Sequence, residues 1–186
     1  GMEGLGLDWD EGPMKGGDCG PYFQSQRNDI YDAYFKKLQD AGRVYEDEGA
    51  WRFRFDRSKP VTFHDLICGN ITIDYRDASN TPDMAIRRAD GSFHFVNVVD
   101  DIEMKMTHVI RGEDHIMNTP KHIQLFEAFG VTPPVFAHMP LILNQDGSKM
   151  SKRDVGAALG TYPEEGFLPE GVMNFLALLG WSPKDD

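Results

Sequence analysis

Val135-Phe136-Ala137-His138-Met139-Pro140-Leu141-Ile142-Leu143 leads through Asn144-Gln145 and an Asp146-Gly147 turn into Ser148-Lys149-Met150-Ser151-Lys152-Arg153. The nearly continuous apolar run suits a parallel strand covered on both faces. Two lysines three residues apart, just past such a strand, suit phosphate chemistry: ammonium groups placed there stabilise charge that builds on phosphate oxygens. Gly147 and Ser148 give the loop freedom to fold over a nucleotide. A bare Lys-x-x-Lys is most often a solvated basic loop. The full five-residue stretch, after an apolar strand and a turn, reverses that weighting.

Reading outward, Thr119 and Pro120 are expected as N-cap and first residue of a helix. Ile123, Phe126 and Phe129 form its apolar side and Gly130 is its stop. Met106–Ile110 reads as a buried strand. Strand alternating with helix predicts an α/β layer with helices on both faces. Between strand and helix lies Arg111-Gly112-Glu113-Asp114. An arginine at a strand end can grip a carboxylate bidentately, and the carboxyl edge of a parallel sheet is where ligands bind in open α/β folds. A structural ion pair from Arg111 to Glu113 or Asp114 is the competing reading.

Further upstream, Asp90-Gly91 predicts a hairpin joining strands Met84–Arg88 and Phe93–Val99. Asp100-Asp101 then suggests either a Mg²⁺ site or, more often, the turn closing a strand. Ile71–Tyr75, Val61–Phe63 and the alternating Trp51-Arg52-Phe53-Arg54-Phe55 are short β signals. The arginines of the last stretch read as the polar face of a half-buried strand. Ser25 is expected to cap a helix whose face is Ile30, Tyr31, Tyr34, Phe35, Leu38 and Ala41, with Gly42 ending it. Residues 3–23 read as loop. Downstream, Pro169 starts a last helix with Val172, Phe175, Leu176 and Leu179 inward and Gly180 behind it. His115 and His122, two turns apart, lack the further ligands a metal would need.

The 186 residues allow one ordinary core with a small insert. Hydrophobic content of 40% and charged content of 26% are those of a soluble globular protein. No apolar stretch approaches the roughly 18–20 residues of a membrane span. A net charge of −11 argues against a broad nucleic-acid surface, though not against a local basic patch. Cys19 and Cys68 make neither a disulfide framework nor a metal pair by spacing, and the simple reading is a reduced, cytoplasmic protein.

Several ordered motifs resemble the bacterial glutamyl-tRNA synthetases, class I aminoacyl-tRNA synthetases. They are Leu7-Asp8-Trp9-Asp10-Glu11-Gly12-Pro13, Gly20 to Arg27, Asn97-Val98-Val99-Asp100-Asp101, His108 to Pro120, His138 to Leu143 with the lysine loop, Tyr162 to Pro169, and Leu178 to Pro183. The resemblance runs almost end to end. It implies a partial Rossmann-type nucleotide-binding domain at 1–43 and 91–153. It also implies a small, mostly β connective insert at 44–90 that meets the tRNA acceptor end, and the start of a helical stem-contact region at 154–186. The implied reaction is ATP-dependent activation of L-glutamate, then transfer to tRNA-Glu, with Mg²⁺ accompanying ATP. Arg111, Asn97 and Phe93 would line the amino-acid pocket. Asp114, Leu141 and Ile142 would hold ATP, and Lys149 and Lys152 would bind its phosphates and serve the activation transition state.

The chain departs from the family at several points. Phe93 stands where tyrosine is common. The insert passes from Tyr45 almost directly into Trp51 and lacks the cysteine cluster that binds zinc in some relatives, so no structural zinc is expected. None of the six histidines begins a His-x-Gly-His element, and the arginine that helps select glutamate lies upstream of such an element in the family. The expectation is an internal fragment, inactive by itself. Two other readings compete: a short paralogue that glutamylates a modified tRNA base, and a non-catalytic tRNA- or partner-binding module. Residues 162–183 favour the synthetase over the paralogue, which typically lacks them.

Overall fold

The computed structural model describes residues 2–87, 93–144, 146–150, 161–178 and 181. Helix α1 spans Asn28–Asp40 and buries Tyr31, Tyr34, Phe35 and Leu38. Gly42 takes φ +63° behind it. The Arg43 N–H returns to the Leu38 carbonyl and the Gly42 N–H to that of Gln39, a Schellman end that glycine favours. Ser25 does not cap this helix. It lies in a short 3₁₀ turn over Gln24–Gln26, and Arg27 holds the N-cap position without a side-chain bond.

Strands β1 (Val44–Asp47) and β2 (Ala50–Phe53) form a hairpin. Strands β3 (Val61–Asp65) and β4 (Gly69–Ile73) form another. Strand β5 (Met84–Arg87) pairs antiparallel with β2, giving a three-stranded sheet in the order β1-β2-β5. The alternation at Trp51–Phe55 holds: Phe53 and Phe55 are buried and Arg54 is exposed.

Phe93–Glu103 is a helix, α2, not the second arm of a hairpin; Asp90-Gly91 lies outside the described residues. Phe95, Val98 and Val99 are buried and Ile102 packs beside them, which is helical spacing. Burial along that stripe overrides the β preference of the two valines. Asp100 and Asp101 therefore sit inside a helix, not in a turn.

Strand β6 (His108–Gly112), helix α3 (Thr119–Ala128) and strand β7 (Val135–Met139) follow. Gly130 ends α3 as Gly42 ends α1, at φ +70° with the Val131 N–H on the Phe126 carbonyl. Thr119 is the first residue of α3 and not its cap; Asn118 precedes it. Strand β7 is parallel to β6 on one side and to β3 on the other, and the second sheet runs β4-β3-β7-β6. Helix α3 faces both sheets. Leu125 and Phe126 join the main core with α1, α2 and the first sheet. Ile123 packs with Phe63 and Phe136 of the second.

Helices α4 (Thr161–Glu164) and α5 (Pro169–Leu178) come last. Val172 is buried as expected, but Phe175 is 55% exposed and does not point inward. Leu179 and Gly180 lie outside the described residues. No helix among the described residues is long and apolar enough to cross a membrane.

Candidate active site

Strands β3, β7 and β6 run parallel; β7 and β6 end side by side at Met139 and Gly112, and β3 ends at Asp65 beside Phe136 of β7. Register places Arg111 opposite His138, and Asp65 opposite Phe136, two residues before His138. Three polar side chains thus meet at the carboxyl edge of the sheet.

The Arg111 guanidinium donates from Nε to His138 Nε2 at 3.2 Å, from Nη2 to Thr119 Oγ1 at 2.7 Å, and from Nη2 to the His115 carbonyl at 3.5 Å. All three acceptors are neutral. Among the described residues no carboxylate lies within ion-pair distance of it, so Arg111 forms neither of the pairs with Glu113 or Asp114 that composition alone suggests. Burial lowers its pKa, opposed by the negative charges of Asp101 and Asp114.

Asn97 and Asp101 are one turn apart on α2, and the charge of Asp101 reaches Arg111. Burial, reinforced by neighbouring Asp100, raises the Asp101 carboxyl to about 6 against the opposing pull of Arg111. Asp100 faces the other way, accepting from Arg27 Nε at 2.7 Å, Tyr31 Oη at 2.8 Å and Gln24 Nε2 at 3.0 Å. Gln24 also reaches the Asn97 side-chain oxygen at 3.4 Å. Phe93 opens α2, and its side chain lies outside the described residues.

The residues expected at ATP gather around Gly112. A Cβ added there would lie 2.6 Å from Asp114 Oδ1 and 3.5 Å from Leu141 Cδ2. Glu113 accepts from the Leu141 N–H at 3.3 Å. Lys149 Nζ bonds Asp114 Oδ2, and that ammonium holds the Asp114 carboxyl below its usual range. The chain returns on itself beyond β7: Met150 N–H donates to the Ile142 carbonyl at 2.9 Å, and Leu143 bridges to Lys149. Asp114, Leu141, Ile142 and Lys149 are brought together. Lys152 lies outside the described residues.

His122 is buried against α2, with its Nε2 3.0 Å from His94 Nδ1. Burial, then the positive charge of Arg111, push it down to about 3, so it is neutral at ordinary pH. His115 and His122 do not form a metal site; among the described residues no group of three or more His, Cys, Asp or Glu is arranged to hold one.

The arginines of the first sheet are locally engaged. Arg52 Nε donates to Asp47 at 2.6 Å, Arg54 stacks over Tyr45, and Arg87 binds Asp32. Arg88 lies outside the described residues.

Sequence reasoning did not single out Asp65 or His138 as site residues, and it considered Asp101 only as half of a Mg²⁺ site or a turn. A histidine within an apolar run is a signal for the second, because a buried polar group has to find a partner.

Comparison with known proteins gives the family. A model of class I tRNA synthetases (E and Q), catalytic domain, matches residues 46–186. The glutamate–tRNA ligase of Akkermansia muciniphila is 98% identical over the whole chain, and that of Methylacidiphilum infernorum 55% identical over 98% of it. The chain spans only 43% and 41% of these two curated relatives. A crystal structure of glutamate–tRNA synthetase from Elizabethkingia anophelis superposes with a TM-score of 0.78 at 30% identity, covering 98% of this chain and 51% of that one. A glutamate–tRNA ligase from Elizabethkingia meningosepticum, solved in complex with its amino acid, matches equally well, with TM-score 0.78. The chain belongs to the catalytic-domain family of the class I tRNA synthetases for glutamate and glutamine.

Proposed function

We propose that this chain supplies the glutamate pocket and the lysine-loop half of the ATP site of a glutamate–tRNA ligase. The reaction is activation of L-glutamate by ATP, with release of pyrophosphate, and transfer of the glutamyl group to tRNA-Glu. The observation that carries this reading is Arg111. It stands at the carboxyl edge of parallel strands with no carboxylate within ion-pair distance among the described residues. A carboxylate is the natural complement of a planar guanidinium.

Asn97 and position 93 complete the amino-acid pocket from α2. Asp114, Leu141 and Ile142 hold the ribose and adenine of ATP beside Gly112, where any side chain would intrude. Lys149 rests on Asp114 until triphosphate offers it a stronger anion. The exchange frees the Asp114 carboxylate for the ribose as it brings the ammonium to the phosphates. Lys152 acts as charge develops at the α-phosphate. Mg²⁺ enters with ATP. Residues 1–43 and 91–153 belong to the catalytic domain, 44–90 to the connective insert that meets the tRNA acceptor end, and 154–186 to the start of the stem-contact region. The setting for this chemistry is the cytoplasm.

The test is glutamate-dependent exchange of pyrophosphate into ATP. It uses a full-length ligase in which this chain replaces the matching segment of the Akkermansia muciniphila protein. Arg111→Lys should raise the KM for glutamate by roughly 100-fold through loss of a buried charge contact fixed by a planar guanidinium. Lys152→Ala should instead lower kcat by roughly 10²–10³-fold with a smaller change in ATP binding, the pattern for a group that acts on the transition state. An unchanged glutamate KM in Arg111→Lys would refute the assignment of Arg111.

A further inference from the structure

Asp65 and His138 are fully buried, and Thr119 beside them is buried too. None of the three has a role in the chemistry above. Asp65 Oδ1 accepts three backbone N–H groups: Ile67 at 3.0 Å, Cys68 at 2.9 Å and His138 at 3.2 Å. Its other oxygen, Oδ2, lies 2.6 Å from His138 Nδ1. On the far side of the ring, Nε2 faces Arg111 Nε at 3.2 Å and Thr119 Oγ1 at 3.0 Å.

Proton positions follow from the partners. Arginine Nε always carries a proton, so Nε2 is an acceptor and the ring proton sits on Nδ1, where Asp65 takes it. The Thr119 hydroxyl accepts from Arg111 Nη2 and has the His115 carbonyl 3.3 Å away for its own proton. One edge of the guanidinium, Nε with Nη2, is thereby committed to the protein. Nη1 has no partner among the described residues and is not sealed from solvent. Nη2 already has two acceptors, Thr119 Oγ1 and the more distant His115 carbonyl, so Nη1 is the nitrogen that remains for a ligand.

We propose that Asp65, His138 and Thr119 are positioning residues. They fix the Arg111 guanidinium by its side-on edge, so that Nη1 meets the glutamate carboxylate without reorganisation. This rests on the reading of Arg111 as the carboxylate-binding group. Asp65 acts at one remove: it selects the histidine tautomer that can accept from Arg111. Geometry fixed before binding avoids the entropic cost of ordering a long side chain.

Asp65→Asn tests this with little change of shape. The three backbone N–H groups keep the carboxamide oxygen at the Oδ1 position, which puts its NH₂ against His138 Nδ1. The ring proton then moves to Nε2 and faces the Arg111 Nε proton, donor against donor. In the full-length exchange assay, the glutamate KM should rise at least roughly tenfold, as for loss of a hydrogen bond to a charged group. The ATP KM and kcat should stay within about twofold of the parent. Thr119→Val, which removes the Nη2 acceptor and keeps the volume, should raise the glutamate KM in the same direction. It carries the test alone if Asp65→Asn fails to fold. A purely structural role would lower kcat through loss of active molecules and leave KM unmoved. An unmoved glutamate KM in these variants, beside a raised one in Arg111→Lys, would overturn the relay and leave the pocket assignment standing. An unmoved KM in all of them would overturn both.

Discussion

Arg111 and Lys149 are two cations at the same edge of the sheet, held in opposite ways. Arg111 is clamped by buried acceptors, His138 and Thr119, neither of them a carboxylate. The Lys149 side chain is 55% exposed and sits on a single carboxylate, Asp114, at the protein surface. On the function proposed above, the first arrangement is a rigid receptor for an anion of fixed shape. The second makes a movable charge, already neutralised, that exchanges one anion for another as the loop shifts. A group that recognises a ground-state carboxylate gains from being fixed in advance. A group that answers charge developing during reaction gains from being free to travel.

The buried side of this comparison is costly to charge further, and acid exposes that cost. The folded-state pKa of His122, pushed down to about 3, lies below the value near 6.5 of an unfolded histidine. Its contribution to stability is therefore fully present above pH 6.5 and is lost as pH falls from 6.5 toward 3. At about 1.4 kcal/mol per pKa unit the loss is at most roughly 5 kcal/mol. Urea unfolding between pH 7.5 and 4.5 should show stability falling with acid. His122→Gln should flatten that fall over the same range. An identical slope in the variant would mean that the interior near Arg111 tolerates a second positive charge, and the contrast with the surface would lose its basis.

On the exposed side the expected effect is the smallest. An ion pair this open is screened and contributes little. Lys149→Met and Asp114→Asn should leave urea midpoints of the chain unchanged within error, singly and together. A lowered midpoint in each single variant, with a joint shift smaller than the sum of the two, would show that Asp114 holds Lys149 in place, making the loop a fixed receptor like Arg111.

What the sequence made legible follows the same divide. Arg111, Asp114 and Lys149 stand in continuous motifs, and their residue types and order carry the chemistry. Helices α1 and α3 carry explicit stops in Gly42 and Gly130, each in the left-handed conformation. Helix α2 has no such mark. It ends in the same backbone pattern, with the Met106 N–H on the Asp101 carbonyl, but the residue at positive φ is Lys105. With no glycine to read and three valines within its first seven residues, the stretch looked like a strand. Only the burial of Phe95, Val98 and Val99 on one side decides it. The Asp65–His138 pair was illegible for another reason. Its members lie 73 residues apart, and the β3–β7 register that joins them belongs to tertiary structure. Lys152 was read from its motif alone.

The central claim is that Arg111 is fixed before any ligand arrives, and hydrogen exchange at its side chain tests this most directly. In nitrogen-15 spectra of the purified chain, the Arg111 Nε–H should appear as a single resonance that exchanges with water more slowly than that of Arg76. Arg76 is an exposed arginine whose side chain is 62% accessible and which, among the described residues, pairs only with Asp74 at the surface. Asp65→Asn should bring the Arg111 resonance up to the Arg76 rate. An Arg111 Nε–H that exchanges as fast as Arg76 in the unsubstituted chain would contradict the account.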